Sequence, residues 1–129
     1  RQMEKHVTFL GEKRGKGKEA AFLRNGLFCF PTRFESEGFS VVLLEAMQYA
    51  MPVVATAWRG IPAIVDDQRT GFLVPVRDDE ALAAKLEYLI AHPQEAMGMG
   101  RRGRERFLRE FTVDRFYSNM DEVFQSLEQ

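Results

Sequence analysis

Cysteine and long apolar runs are almost absent from this chain of 129 residues. A single cysteine, Cys29, excludes an internal disulfide and a cysteine metal cluster, and it favours a reducing, cytoplasmic compartment. No apolar run approaches the roughly 20 residues that a membrane-spanning helix needs. The formal net charge of -1 argues against a nucleic-acid-binding protein, which normally carries a strong basic excess. The composition, 45% apolar and 29% charged, is typical of one globular domain.

Short apolar runs alternate with helical patterns along most of the chain. We predict strands at residues 6–10, 27–30, 53–56 and 72–74. We predict helices at residues 17–24, 40–50, 61–65, 78–91 and 94–110, and a final helix from residue 112 or 114. The continuous apolarity of residues 27–30 is typical of a parallel strand covered on both faces, which makes Cys29 a small core residue. This order predicts an α/β fold with a Rossmann-like parallel sheet and C-terminal helices, in one domain over residues 1–129.

Polar residues at the helix ends have simple structural interpretations. Ser40 is expected to be an N-cap. Asp78 and Asp79 are interpreted as capping acids rather than metal ligands, because no histidine or third acid lies nearby in sequence. The arginines within residues 94–110 are interpreted as a solvated helix face, with attraction to anionic membrane lipids as the alternative.

Glu45 is the most unusual residue, because it lies inside the apolar run at residues 41–47. A bare buried charge is very costly, so this carboxylate must be paired, face a cleft or lie at a narrow exposed edge. In one interpretation Glu45 pairs with an arginine such as Arg59, and Glu37 is only a surface loop residue. In the other interpretation both glutamates belong to a binding site.

The binding interpretation follows from where open parallel sheets hold ligands, which is at the carboxyl ends of their strands. Residues 37–42 are expected there, because they connect a strand to the next helix. Gly38 permits close approach of a ligand, and the free N–H groups at the helix start suit a phosphate or a sugar hydroxyl. Glu45 could hold the vicinal diol of a ribose, and Glu37 could reach a sugar beyond the phosphate. The residues alone therefore predict a site for a phosphorylated ligand.

Several ordered motifs resemble those of one family. They are Phe-Pro-Thr at 30–32, Glu-Gly-Phe-Ser at 37–40, Leu-Glu-Ala-Met at 44–47, Pro-Val-Val-Ala-Thr at 52–56, Gly-Ile-Pro at 60–62 and Gly-Phe-Leu-Val at 71–74. The series resembles the C-terminal, donor-binding domain of the retaining glycosyltransferases of family 4 (glycosyl transferases group 1), which have the GT-B fold. Two departures are Ser40, where the family pattern ends in glycine, and Ala50-Met51-Pro52, where Ala-Gly-x-Pro is common.

The resemblance implies a role for each matching residue. Glu37 would contact hydroxyls of the donor sugar and is the catalytic candidate, while Glu45 would bind the ribose hydroxyls. The residues whose backbone would hold the sugar and the diphosphate are Gly38, Phe39, Ser40, Val41 and Val42. The family transfers a sugar, here expected to be a hexose, from a nucleotide-diphosphate sugar. It generally binds no metal, so we expect no metal and no cofactor besides this donor substrate.

The resemblance also implies partners beyond these residues. Family members have an acceptor-binding domain and an Arg–Lys pair facing the diphosphate; neither is found here, so the isolated chain is expected to be inactive. With the common strand order 3-2-1-4-5-6, two strands would be missing between residues 6–10 and 27–30. We expect these two strands to re-pair within the chain or to join two copies as a homo-oligomer. Peripheral membrane contact of the parent enzyme is a further expectation. The alternative functions are a GT-B-like nucleotide-sugar epimerase and a non-catalytic nucleotide-sugar-binding or oligomerisation module.

Overall fold

A parallel sheet of three strands forms the centre of the computed structural model, which describes residues 2–128. The strands are β1 (Phe28–Phe30), β2 (Val53–Thr56) and β3 (Gly71–Val74), in the spatial order β1-β2-β3. Their register aligns Cys29 with Val54 and Val54 with Phe72. The predicted Rossmann-like α/β fold is therefore confirmed.

Helices precede, connect and follow the strands. The α-helices of the described residues are α1 (Gly15–Arg24), α2 (Val41–Gln48), α3 (Asp79–Ala91), α4 (Pro93–Glu110) and α5 (Val113–Leu127). Short 3₁₀ helices span Gln2–His6 and Ile61–Ala63. Because α2 connects two parallel strands, its N-terminus lies at the carboxyl end of the sheet.

The two faces of the sheet support separate apolar clusters, because successive side chains of a strand point to opposite faces. The first cluster joins Val53 and Ala55 to residues of α1 and α2, among them Phe22, Leu43 and Met47. The second joins Val54 to Phe72, Val74, Leu89 and Met99. All four residues of β2 are buried, as expected for the central strand.

Helix α4 lies close to the turn between α2 and β2. A Cβ atom added to Gly100 would lie 1.9 Å from the carbonyl oxygen of Ala50, so the approach requires glycine. Gly103 is also buried, next to Met47. Glycine lowers the intrinsic helix propensity of α4, but packing requires it at Gly100.

Three arginines of α4 donate hydrogen bonds to backbone carbonyls of other segments. The pairs are Arg102 with Arg69 O at 2.8 Å, Arg106 with Ala63 O at 3.1 Å, and Arg104 with Gln48 O. The prediction of a solvated helix face holds for Arg101, Arg102, Arg104 and Arg109, which are exposed, whereas Arg106 is partly buried. The lipid alternative stays a prediction.

The predicted strand at residues 6–10 is wrong. Residues 7–14 have no regular secondary structure, and the Phe9 side chain is 95% exposed. A strand needs a neighbour for its N–H and C=O groups, and within residues 2–128 β1 pairs only with β2. The expected re-pairing inside the chain therefore does not occur there, while association of two copies stays a prediction.

Cys29 is exposed, so the prediction of a core cysteine is wrong. Its neighbours Phe28 and Phe30 pack against the first apolar cluster, whereas Cys29 points to the other face of the sheet. As an edge strand, β1 is covered on that first face only. Its apolarity alone could not distinguish an edge strand from a central one.

The cap of α3 matches the sequence interpretation, and α5 has a cap of the same kind. Asp78 accepts from the Ala81 N–H at 2.9 Å, and Thr112 accepts from the Arg115 N–H at 3.2 Å. Ser40 occupies the N-cap position of α2, but its hydroxyl makes no capping bond. None of the described residues of α5 is buried. Between residues 2 and 128, no helix combines the length and apolarity needed to cross a membrane.

Candidate functional site

The loop after β1 and the start of α2 lie at the carboxyl end of the sheet, where the loop after β2 supports them. The Trp58 Nε1–H donates to Phe34 O at 2.8 Å. A Cβ atom on Gly60 would lie 2.4 Å from Gly38 O, so the two loops touch at their backbones. Two neighbouring strands thereby set the shape of residues 31–40.

Hydroxyl groups hold both carboxylate oxygens of Glu37. Ser40 Oγ donates to Oε1 at 2.7 Å, and Thr32 Oγ1 donates to Oε2 at 3.1 Å. The Thr32 oxygen accepts from the Phe34 N–H at 3.2 Å, which leaves its own proton for Glu37. An ionised carboxylate offers about four lone-pair sites, so Glu37 can accept from about two further donors.

The backbone between the two glutamates presents free donors. The N–H groups that donate to no atom of residues 2–128 include those of Phe39, Ser40, Val41 and Val42. A Cβ atom on Gly38 would meet nothing within 4 Å, and its φ is not left-handed, so the chain itself does not require glycine there. An open glycine beside free N–H groups, at the positive end of a helix dipole, suits the close approach of an anion.

Glu45 lies in the second turn of α2 and pairs with a lysine of α1. Lys18 Nζ donates to Oε1 at 2.8 Å, and the side chains of Lys18 and Glu45 are 40% and 28% exposed. Four residues further along in each case, Phe22 of α1 stacks on Tyr49, the C-cap residue of α2, with ring centroids 5.3 Å apart. Because residues four apart lie on the same helix face, these two contacts show that α1 and α2 lie side by side in parallel.

The two glutamates flank the free N–H groups. Glu45 lies about 6 Å along the helix axis from the start of α2, at roughly 1.5 Å per residue. A cavity of about 410 Å³ adjoins Glu45 and is also lined by Lys18, Phe22 and Tyr49. The arrangement offers a hydroxyl acceptor, an anion site and a second hydroxyl acceptor. Among residues 2–128, no group of three or more His, Cys, Asp or Glu side chains could hold a metal ion.

A larger cavity, of about 640 Å³, lies at the opposite end of the sheet. Its lining includes Leu27, Pro52, Ile90 and Met97 and contains no charged side chain. It therefore offers no group that would neutralise a phosphate. The free N–H groups and the two glutamates therefore assign the candidate site to the carboxyl end of the sheet, although the larger cavity lies at the other end.

The segment from Glu37 to Glu45 has the predicted placement, and the roles of its residues stay predictions. The alternative interpretation, in which Glu45 pairs with Arg59, is wrong: Glu45 pairs with Lys18, and the Arg59 guanidinium lies 4.9 Å from the Trp58 ring centroid. Sequence reasoning missed Lys18 and Thr32. Thr32 could have been found from its closeness in sequence to Glu37, whereas Lys18 required knowledge of how α1 packs on α2.

Fold and motifs together define a domain of the GT-B glycosyltransferases. The sequence model of the family described as glycosyl transferases group 1 matches residues 1–106, and the chain belongs to that family. The D-rhamnosyltransferase WbpZ of Pseudomonas aeruginosa is 31% identical over 110 residues, which are 84% of this chain and 29% of that relative. The chain spans between 21% and 32% of the length of the first curated relatives it matches.

Solved structures agree with the family assignment. Sucrose-phosphate synthase of Thermosynechococcus elongatus superposes with a TM-score of 0.86 at 29% identity, covering 98% of this chain and 31% of that one. Anabaena Alr3699/HepE in complex with UDP-glucose gives a TM-score of 0.85, covering 97% of this chain and 34% of that one. Its identity of 23% shows the shared fold alone.

Proposed function

We propose that residues 1–129 are the donor-binding part of a glycosyltransferase that transfers a hexosyl group from a nucleotide-diphosphate sugar with retention of configuration. The observation that carries the proposal is the order Glu37, free helix N–H groups, Glu45 at the carboxyl end of the sheet. Membership of the family supports it. So do the D-rhamnosyltransferase named above and the UDP-glucose complex of the fold neighbour HepE.

The N–H groups at the start of α2 bind the diphosphate in this proposal. When the bond between the sugar C1 and the phosphate oxygen breaks, its electron pair passes to the diphosphate, which is the leaving group. Donors and a helix dipole already directed at that charge stabilise it without reorganisation. The nucleotide sugar is a substrate, and the proposed reaction uses no metal.

Glu37 and Glu45 position the two ends of the donor. The free lone pairs of Glu37 accept from hydroxyls of the sugar, and Glu45 accepts from the ribose hydroxyls beside Lys18. Neither glutamate removes a proton; both contribute by fixing the orientation of the reacting bond. A separate acceptor-binding domain completes the reaction, so the isolated chain binds the donor without transferring its sugar.

Calorimetric titration with UDP, GDP and ADP, and with their glucose derivatives, tests this function. We expect one nucleotide series to bind, and Glu45→Ala to weaken its binding about tenfold, because a hydrogen bond to a charged group is lost. Glu35→Ala changes an exposed residue of the same loop and is the control that should bind like the unsubstituted chain. Absence of binding for every nucleotide, or unchanged affinity in Glu45→Ala, contradicts the proposal.

The open edge of β1 favours a second candidate function, self-association as a non-catalytic module. That edge has no strand partner within residues 2–128, and the coil at residues 7–14 exposes Val7, Phe9 and Leu10. Sedimentation velocity over a range of concentrations tests it. A concentration-dependent dimer without nucleotide binding supports this candidate, and a monomer at all concentrations excludes it.

A further inference from the structure

The Ser40 hydroxyl has an unusual use for a residue at the start of a helix. At the N-cap position a serine oxygen ordinarily accepts from an N–H group of the first helical turn. Here the hydroxyl instead donates to Glu37 Oε1 at 2.7 Å and makes no capping bond. The side chain is thus turned away from its own helix and toward the carboxylate of the loop.

The hydrogen bond between Ser40 and Glu37 is partly buried. Ser40 is only 4% exposed, and a hydrogen bond to an ionised acceptor is stronger than one between neutral groups. Thr32 holds the other oxygen of Glu37 at 3.1 Å, so the carboxylate cannot rotate without losing one of the two bonds. The two hydroxyl groups therefore hold the Glu37 carboxylate in one orientation.

We propose that Ser40 is a positioning residue for recognition of the donor sugar and acts through Glu37. The proposal rests on the function proposed above. With two lone-pair sites filled by Ser40 and Thr32, the oriented carboxylate keeps about two acceptor sites and no donor. It therefore selects a neutral sugar ring that presents two adjacent hydroxyl groups.

The probes for this proposal are UDP and UDP-glucose, with GDP and GDP-mannose or ADP and ADP-glucose used instead if that nucleotide is the one that binds. Calorimetry measures the ratio of the Kd for the nucleotide to the Kd for the nucleotide sugar. Ser40→Ala is expected to lower this ratio by up to about tenfold, the effect of losing a hydrogen bond to a charged group. The Kd for the nucleotide alone should not change. Ser40→Thr keeps the hydroxyl and should restore the ratio.

Two controls separate positioning from a general loss of structure. Ser36→Ala makes the same chemical change in the exposed part of the loop and should leave the ratio unchanged. In a Glu37→Ala background, Ser40→Ala should have no further effect on the ratio, because its partner is already absent. Thermal unfolding verifies that each variant is folded.

The outcomes distinguish the two proposals. If Ser40→Ala weakens nucleotide and nucleotide sugar in equal proportion, or leaves the ratio unchanged, the role of Ser40 is overturned while the donor-binding function stands. If the unsubstituted chain binds none of UDP, GDP, ADP and their sugar derivatives, both proposals are overturned together. A lowered ratio in Ser40→Ala that Ser40→Thr restores supports the positioning role.

Discussion

Glu37 and Glu45 belong to one short segment, but the structure holds them in different ways. The partners of Glu37 are neutral hydroxyls five or fewer residues away in sequence. The partner of Glu45 is a lysine 27 residues away, on another helix. Glu37 is therefore oriented by its own loop, and Glu45 by the packing of α1 against α2.

Within one candidate site, therefore, the orientation of Glu37 is set by nearby sequence and that of Glu45 by tertiary packing. The orientation of Glu37 survives as long as residues 31–40 keep their shape. The position of Glu45 also depends on α4, because α4 packs against α2 and the turn that follows it. Changes in α1 or α4 should therefore affect Glu45 before they affect Glu37.

Gly100→Ala is expected to have the largest effect, because it disturbs the support of α2. The added Cβ would lie 1.9 Å from Ala50 O, so either α4 or the turn must move. We expect the free energy of unfolding in urea to fall by about 3 kcal/mol, as at other overpacked core sites. Nucleotide affinity should fall through Glu45, with the ratio of nucleotide to nucleotide-sugar Kd preserved.

Gly98→Ala is the matched control in the same helix. Its Cβ would meet only the flexible end of Arg102, at 3.3 Å. Alanine is also the better helix former, so this variant should be at least as stable as the unsubstituted chain. Equal stability of the two alanine variants would contradict the packing account of Gly100.

Ala50→Gly tests the same turn in the opposite direction. Ala50 has a φ of +56°, in the left-handed region that disfavours a side chain. We expect the free energy of unfolding to rise by about 1 kcal/mol. Ala84→Gly, an exposed position inside α3, should instead lose about 1 kcal/mol. A similar decrease in the free energy of unfolding of both variants would contradict the prediction.

Lys18→Met should reveal the ionic support of Glu45. Because the pair is partly exposed, we expect the free energy of unfolding to fall by less than about 1 kcal/mol. The change should shrink between about 0.05 M and about 0.5 M NaCl, as salt screens the pair. Thr32→Val, which removes a neutral donor from Glu37, should show no such salt dependence. If salt changes the free energy of unfolding of both variants to the same extent, the assignment of an ionic partner to Glu45 and a neutral one to Glu37 is contradicted.

Glu110 is expected to show the smallest effect, since its ion pair lies within one helix. A hydrogen bond from Arg106 is the main cause that lowers the pKa of Glu110 below its usual 4.5. A carboxyl with a lower pKa in the folded state stabilises the fold above its usual pKa. This contribution is lost as pH falls through the lowered value. Glu110 is largely exposed, so a few tenths of a kcal/mol are expected.

Urea denaturation of Glu110→Gln at about pH 6 and about pH 3 checks that sign. The variant should be slightly less stable than the unsubstituted chain at the higher pH, and the difference should shrink at the lower pH. A larger difference at the lower pH would contradict the assignment. Because this pair is local, it serves as a baseline for the long-range pair of Lys18 and Glu45.

The sequence predicted the structural features that depend on residues close together in the chain. The order of β1, β2 and β3 and most helices followed from apolar runs and capping residues. The strand at residues 6–10 failed because an apolar run forms a strand only where a partner edge exists. Cys29 was misassigned for a related reason, since only the tertiary fold shows that β1 lies at an edge.

The same division applies to the candidate site. The placement of Glu37 and Glu45 around a helix start was predictable from the motif at residues 37–45. Lys18 was not, because it lies at the expected border between loop and helix, and α1 begins at Gly15 rather than residue 17. The use of Ser40 was not predictable either, since a serine before a helix is normally a cap.

The most direct test measures separately how Glu37 and Glu45 contribute to binding of the nucleotide and of the sugar. Calorimetry would give the Kd of UDP and of UDP-glucose, or of the guanine pair, for Glu37→Gln and Glu45→Gln. We predict that Glu45→Gln weakens nucleotide and nucleotide sugar by the same factor, whereas Glu37→Gln weakens only the nucleotide sugar. Equal effects of Glu37→Gln on both ligands, or no effect of Glu45→Gln on either, would contradict a donor bound between the two residues.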